Sequence, residues 1–214
     1  MSHKQSRKNL FQTKKDIVSL DPGVRTFQTG YCSNEMLELG KNCSTVLKEK
    51  LLLLDKIDRR RKTEPLAKGR LDKKYDQIQR KITNLVDELH FKTINHLYKN
   101  YHTIVIGKMS TQSIVKGKMI SKMTKRILLA MRHYEFRNRL KAKCVEYKIQ
   151  FYEVDESYTT MTCSVCGKIN RKVGASEIFR CIRPTCGIEM KRDFNGGRGI
   201  FLKNRRKYKK ICLF

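Results

Sequence analysis

The chain has 214 residues, enough for one sizeable hydrophobic core and one small additional module. It carries 48 Lys and Arg against 20 Asp and Glu, a formal net charge of +28. Such a surface repels itself unless it binds a polyanion, which favours nucleic acid as the partner. No apolar run is long enough to cross a membrane, and the basic N-terminal segment lacks an apolar region, so we expect no secretory signal. We therefore expect an intracellular protein without a membrane partner, nuclear in a eukaryotic or viral host and cytoplasmic otherwise.

The first part of the chain predicts a tail followed by a strand meander. Residues 1–15 are basic and lack hydrophobic periodicity. The β-branched run from Ile17 to Leu20 predicts a buried strand, which ends at Asp21-Pro22-Gly23. Residues 24–31 and 36–39 complete a predicted meander of three strands.

Two charged helices with apolar stripes are predicted next. The first spans residues 42–62 and the second ends near residue 100, so we expect a helical hairpin over 42–100. A second buried strand is predicted over residues 103–106, and Gly107 ends it.

The remaining pattern is a loop, one long helix over residues 121–147, a strand over 149–154 and a last helix over 192–202. A cysteine-rich segment, residues 158–189, lies between the last strand and the last helix. The order of elements predicts an α/β layered fold with one inserted module.

The cysteine-rich segment has metal-ligand spacing. Cys163 and Cys166 are separated by two residues, Cys181 and Cys186 by four, and a glycine follows each pair. Two such pairs supply four soft ligands in a tetrahedron, which favours one structural Zn²⁺ with no open coordination position. Two disulfides and a redox pair are the alternatives. A single pair would serve redox work, and the other four cysteines are scattered.

Basic residues surround this segment and are expected to contact phosphates. The predicted nucleic-acid-binding residues are Arg25, Arg180, Arg183, Lys191, Arg192 and Arg198.

Acidic residues are scarce, so those at the ends of predicted strands stand out. Asp21 follows the first strand, Glu153, Asp155 and Glu156 close the strand before the cysteines, and Asp193 opens the last helix. Converging carboxylates bind Mg²⁺ in phosphodiester nucleases. Each acid alone has an ordinary explanation, because aspartate also forms turns and caps helices.

Four motifs in order resemble the insertion-sequence OrfB proteins, also called TnpB, and their Fanzor relatives. They are Asp21–Phe27, which resembles the first RuvC motif, Asp87–Lys92, Tyr158–Gly167, and Arg192–Ile200, which resembles the third RuvC motif. The resemblance covers residues 16–204. It implies an RNase H-like (RuvC) mixed sheet flanked by helices, with an inserted four-cysteine zinc ribbon. It also implies Mg²⁺-dependent DNA endonuclease activity directed by a guide RNA.

The resemblance divides the chain into five segments. They are a basic tail (1–15), the first part of a RuvC-like nuclease domain (16–157), the zinc ribbon (158–189), the last part of the nuclease domain (190–204) and a basic C-terminal tail (205–214).

The middle carboxylate departs from the family pattern. Most TnpB proteins end the second-motif strand with a glutamate, whereas Gly107 stands here. Fanzor-type relatives place a glutamate just before the Tyr-Thr motif, where this chain has Glu156. We therefore assign Asp21, Glu156 and Asp193 as the catalytic residues and the ligands of Mg²⁺.

Length is the second departure, because only 20 residues precede Asp21, whereas the family carries a long N-terminal half. We expect either a truncated gene or a missing half on a separate chain. Two further interpretations stay open. One is a catalytically inactive DNA- or RNA-binding remnant, and the other is a basic zinc-ribbon RNA-binding protein of ribosomal type.

Overall fold

The computed structural model describes residues 15–32, 35–117, 120–155, 157–174 and 176–208. In these residues the strands are β1 (Lys15–Pro22), β2 (Thr26–Cys32), β3 (Glu35–Lys41), β4 (Tyr101–Gly107), β5 (Gln150–Val154), β6 (Ile178–Arg180) and β7 (Glu189–Lys191). The helices are α1 (Cys43–Thr63), α2 (Lys68–Asn100), α3 (Thr111–Lys116), α4 (Lys122–Ala130), α5 (His133–Glu146) and α6 (Arg192–Tyr208).

Five strands form one mixed sheet in the order β3-β2-β1-β4-β5. The predicted meander is confirmed, since β1, β2 and β3 pair antiparallel. β4 pairs parallel with β1, and β5 pairs parallel with β4. The register places Leu20 opposite Ile106 and Asp21 opposite Thr29. The expectation of a mixed sheet flanked by helices is confirmed.

The two faces of this sheet bury different elements, because side chains alternate along a strand. Val18 and Leu20 of β1 belong to the large core that also contains residues of α1, α2, α4 and α5. Ile17 lies on the other face, in a smaller cluster with Val105 and with Ile200 of α6. Asp21 follows Ile17 and Ser19 in this alternation, so its side chain belongs to the α6 face.

The predicted hairpin is formed by α1 and α2, joined by a short 3-10 turn at Pro65–Ala67. One stripe of α1 is buried, as the helical periodicity requires; it consists of Leu47, Leu51, Leu54 and Ile57. None of the helices in the described residues is both long and apolar enough to cross a membrane.

The single helix predicted over residues 121–147 is wrong. The chain breaks between α4 and α5, where Arg132 adopts a left-handed conformation with φ 49° and ψ 48°. The break buries Met131, whose carbonyl accepts a hydrogen bond of 2.9 Å from His90 Nε2, and lets Arg132 pair with Asp87 at 2.7 Å. These partners lie on α2, so the local periodicity carries no sign of the break. The short helix α3 also falls within the predicted loop.

Two buried histidines enclose Phe27 in the large core. The ring of Phe27 stacks on His90 and on His133, with centroid distances of 5.3 and 4.8 Å. Burial lowers the pKa of both imidazoles, that of His133 to about 4. Both rings are therefore neutral in the folded protein at neutral pH.

We expect stability to fall as the pH drops through this range. The unfolded chain binds a proton on His133 near pH 6.5, whereas the folded chain resists it until about pH 4. Between these values acid favours the unfolded state, by about 3 kcal/mol in total for His133. Urea unfolding of wild type and His133→Phe at several pH values measures this. The variant should lose about 3 kcal/mol less between about pH 7 and pH 4. Parallel pH curves would contradict the assignment.

Candidate functional site

The four clustered cysteines lie around one point. Sγ of Cys163 is 3.9 Å from Sγ of Cys186, and Sγ of Cys166 is 3.5 Å from Sγ of Cys181. All four sulfur atoms lie within 4.8 Å of one another. Four thiolates around a tetrahedral ion at about 2.3 Å would be about 3.8 Å apart, so the arrangement fits a single metal ion.

Glycine in a left-handed conformation closes each cysteine turn. Gly167, with φ 74°, donates its N–H to the Cys163 carbonyl at 2.8 Å. Gly187, with φ 52°, donates to the Arg183 carbonyl at 3.0 Å. A residue with a side chain would be strained at either position, which explains why a glycine follows each pair. We call residues 158–191, which include these turns and the β6-β7 hairpin, the cysteine module.

As free thiols, Cys166 and Cys181 have pKa values that are shifted in opposite directions. A hydrogen bond from the Lys168 N–H lowers the pKa of Cys166 to about 7. The Arg183 N–H also lowers the pKa of Cys181, but burial and the three neighbouring thiols outweigh it and raise that pKa to about 12. Ionising one sulfur therefore opposes ionisation of the next, and a bound cation would relieve this repulsion.

The carboxylate of Asp21 lies against the first turns of α6. A Cβ atom added to Gly196 would stand only 2.2 Å from Asp21 Oδ2, so the carboxylate occupies the space of the missing side chain. Asp193 lies three residues before Gly196 on the same helix. Because positions i and i+3 are neighbours on a helix surface, Asp21 and Asp193 belong to one region of the α6 face.

The other acids near the end of β5 have different partners. Glu153 pairs with Arg137 of α5 at 3.2 Å, on the sheet face opposite α6. Asp155 accepts hydrogen bonds from Lys203 at 2.9 Å and from Ser157. The predicted ligand Glu156 lies outside the described residues. Among the residues that are described, the cysteines form the only group of three or more potential metal ligands within 4.8 Å.

Gly107 occupies the position where the family pattern has its middle carboxylate. It follows Ile106, which pairs with Leu20 of β1. Since Val105 points to the α6 face and side chains alternate along a strand, position 107 points to that face as well. A carboxylate at this position would project from the strand beside Asp21. This chain therefore has no carboxylate to place beside Asp21 from that strand.

Sequence reasoning missed the role of Asn195. Its side chain is completely buried between α6 and the cysteine module. Oδ1 accepts from the Ser164 N–H at 2.9 Å, and Nδ2 donates to the carbonyls of Thr162 at 2.8 Å and Thr159 at 3.3 Å. An asparagine in the first helical turn, just before Gly196, was the available signal. Its partners were not readable from the sequence.

Two of the predicted cations line a cavity of about 310 Å³ that Asp193 also lines. Its lining includes Arg25 and Lys191, which pair with Glu177 at 3.3 Å and Glu38 at 3.2 Å. The structure thus brings two of the predicted phosphate ligands to the candidate carboxylate region.

The other predicted cations are more dispersed. Arg180 pairs with Glu189 across the β6-β7 hairpin at 2.7 Å, and Arg192 donates to the Gly174 carbonyl at 3.1 Å. The side chain of Arg183 is exposed, and that of Arg198 is half-buried. Exposed ion pairs contribute little stability, so such cations can exchange a carboxylate for a phosphate at small cost.

The chain is similar in sequence to transposase, TnpB-like and Cas12f1 proteins. Residues 133–200 match the family model described as Cas12f1-like, TNB domain. A transposase-like protein of Paramecium bursaria Chlorella virus 1 is 32% identical over 90% of this chain and 44% of its own length. A TnpB-like protein of Acanthamoeba polyphaga mimivirus is 32% identical over 87% of this chain and 37% of its own length.

Two further matches are to Cas12f1 proteins. The CRISPR-associated endodeoxyribonuclease Cas12f1 of Sulfoacidibacillus thermotolerans is 29% identical over 62% of this chain and 30% of its own length. A cryo-EM structure of a Cas12f1-sgRNA-target DNA complex shares the fold. Its TM-score is 0.61 at 21% identity, over 86% of this chain and 49% of that one.

These sequence matches support a transposon-associated, nuclease-related protein. Over most of its length the chain is similar to TnpB-like and transposase proteins. It spans less than half the length of the two viral relatives.

The close approach of Asp21 to Gly196 predicts that a side chain at position 196 destabilises the fold. Gly196→Ala should displace the Asp21 carboxylate or push α6 from the sheet, at a cost of about 1–3 kcal/mol in unfolding free energy. Gly69→Ala is the matched control, because a Cβ there meets nothing within 4 Å. The control should be neutral or slightly stabilising. Urea unfolding measures both, and equal behaviour of the two variants would refute the close approach.

Proposed function

We propose that the chain is the RuvC-like domain of a Mg²⁺-dependent DNA endonuclease with an inserted structural zinc ribbon. One observation carries the proposal: Asp21 lies at the end of the central strand, against Gly196 of the helix whose first turn holds Asp193. The mixed sheet with helices on both faces supports the RNase H-like fold implied by the motifs.

The donor sets fit two different metals. Four sulfur atoms at tetrahedral spacing suit Zn²⁺, which binds thiolates well. In a structural site the protein fills all four coordination positions of the ion. Carboxylate oxygens suit Mg²⁺, which prefers hard ligands. Asp21 and Asp193 would hold Mg²⁺ together with Glu156, which follows β5 in the sequence.

The chain's own residues have distinct tasks in hydrolysis. Bound Mg²⁺ would supply Lewis acidity for attack on the phosphodiester and for departure of its leaving oxygen. Asp21 and Asp193 present anionic oxygens from two elements that pack together. Arg25 and Lys191, beside Asp193, hold the phosphates of the strand and orient the scissile bond.

DNA is the proposed substrate and a guide RNA the proposed source of sequence specificity. The net charge of +28 supports tight, largely sequence-independent contact with both backbones. The related Cas12f1 complex contains an sgRNA and target DNA. Base pairing with a guide would read the target, and side chains would contact backbone phosphates.

A second function is favoured by the chain's departures from the family pattern. Gly107 stands where the family resemblance implies the middle carboxylate, and within the described residues no three acids lie within 4.8 Å of one another. A catalytically inactive protein that binds DNA or RNA through the cysteine module and basic surface is therefore the alternative.

Carboxylate variants distinguish these two functions. Asp21→Asn, Asp193→Asn and Glu156→Ala should each reduce Mg²⁺-dependent DNA cleavage by about 100-fold or more, while DNA binding persists. Glu153→Ala is the matched control, since its carboxylate faces Arg137 on the opposite side of the sheet. Cleavage of labelled DNA with supplied guide RNA and with Mg²⁺ or EDTA is the assay.

If the wild type binds DNA with no Mg²⁺-dependent cleavage, the inactive binding protein is the correct function. If Glu153→Ala loses activity while Glu156→Ala keeps it, the third ligand is misassigned.

The zinc assignment predicts that Cys166→Ser removes the metal. The wild type should contain about one Zn²⁺ per chain, and the variant should lose it together with the fold of the module, because binding and local folding are coupled. Cys144→Ser, buried in the large core, is the control that should retain zinc. Elemental analysis measures the metal. A folded, zinc-free module, or two disulfides found by thiol titration, would refute the assignment.

A further inference from the structure

We infer that Asn195 is a positioning residue that couples metal binding in the cysteine module to the placement of Asp193 on α6. The inference rests on the proposed function for the identity of the two metals. It adds a connection between them that runs through one buried side chain.

The module side of this connection consists of backbone groups beside the metal ligands. Asn195 Oδ1 accepts from the N–H of Ser164, which follows the ligand Cys163. Its Nδ2 donates to the carbonyl of Thr162, which precedes that ligand. The Cys163 N–H is itself bonded to the Lys168 carbonyl at 2.9 Å. A metal that holds Cys163 therefore also holds the groups that Asn195 binds.

The sheet side of α6 is held by separate contacts. Ser19 Oγ donates to the Gly197 carbonyl at 2.7 Å, and the Asp21 carboxylate fills the space beside Gly196. On the module side, a Cβ at Gly199 would lie 3.1 Å from the Thr159 carbonyl oxygen. The first turns of α6 thus pack between the sheet and the module. Asn195 supplies side-chain hydrogen bonds on the module side.

Loss of the module's metal would leave the Asn195 amide without ordered partners in a buried position. A buried polar group that loses its hydrogen bonds is costly, so the helix would rotate or fray to reach water. Asp193 lies two residues earlier in the same turn, and its distance from Asp21 would change. Zinc release should therefore loosen the carboxylate region without removing any carboxylate.

Hydrogen exchange on the full chain tests the coupling. In the wild type, removing zinc with a selective chelator should speed amide exchange in residues 192–200 by about tenfold or more. In the Asn195→Ala variant, amide exchange in these residues should already be fast with zinc bound. Zinc removal should therefore change it little. A merely stabilising residue would speed exchange equally in both metal states and leave the difference between them intact.

Asn204→Ala is the matched control. Asn204 is a buried asparagine on the same helix, but its Nδ2 donates to the Ile200 carbonyl within α6. It should keep the zinc-dependent difference. If Asn195→Ala does not fold, Asn195→Asp serves instead. It keeps the acceptor for the Ser164 N–H and loses the donor to Thr162, so the zinc-dependent difference should shrink.

Binding of Mn²⁺, a paramagnetic substitute for Mg²⁺, gives a second measurement. Titrations followed by electron paramagnetic resonance should show at least about tenfold weaker binding after zinc removal in the wild type, and weak binding in both states of Asn195→Ala. Absence of Mn²⁺ binding in the wild type would defeat the proposed nuclease while the exchange result still decides the coupling. An unchanged zinc effect on exchange in Asn195→Ala or its Asp substitute would overturn the inference.

Discussion

The close packing of α6 against the central strand is the constraint on which the rest of the candidate site depends. The Asp21 carboxylate stands where a side chain at position 196 would be, so glycine is required there. This approach brings the end of β1 and the start of α6 into one region. A bulkier residue would separate the two elements that carry Asp21 and Asp193.

The cysteine module acts on the same helix from its other side. β7 ends at Lys191 and α6 begins at Arg192, so no linker separates the module from the helix. Asn195 adds hydrogen bonds to the backbone around Cys163. The proposed zinc and magnesium sites would therefore be linked through α6, which packs against the module and carries Asp193.

The acids near β5 illustrate how position on a sheet decides function. Glu153 and Asp155 are close to Glu156 in sequence, but the pleat directs Glu153 to Arg137, and Lys203 holds Asp155. Gly107 lies beside Asp21 on the face where a carboxylate would serve. Whether the chain is a nuclease or an inactive binding protein thus depends on whether Glu156 supplies the carboxylate that position 107 lacks.

The sequence by itself predicted the five strands of the main sheet, the α1-α2 hairpin, the clustered cysteines and the place of Asp21 and Asp193 in motifs that resemble the family's. These follow from local periodicity, turn glycines and ligand spacing, which act over a few residues. Only the tertiary structure decided the break at Arg132, the partners of Glu153 and the role of Asn195. Each depends on groups distant in sequence: Asp87 for Arg132, Arg137 for Glu153 and the backbone around Cys163 for Asn195. Hydrogen bonds and ion pairs between distant segments produce no periodic pattern in the sequence. They are therefore determined only when the segments pack together.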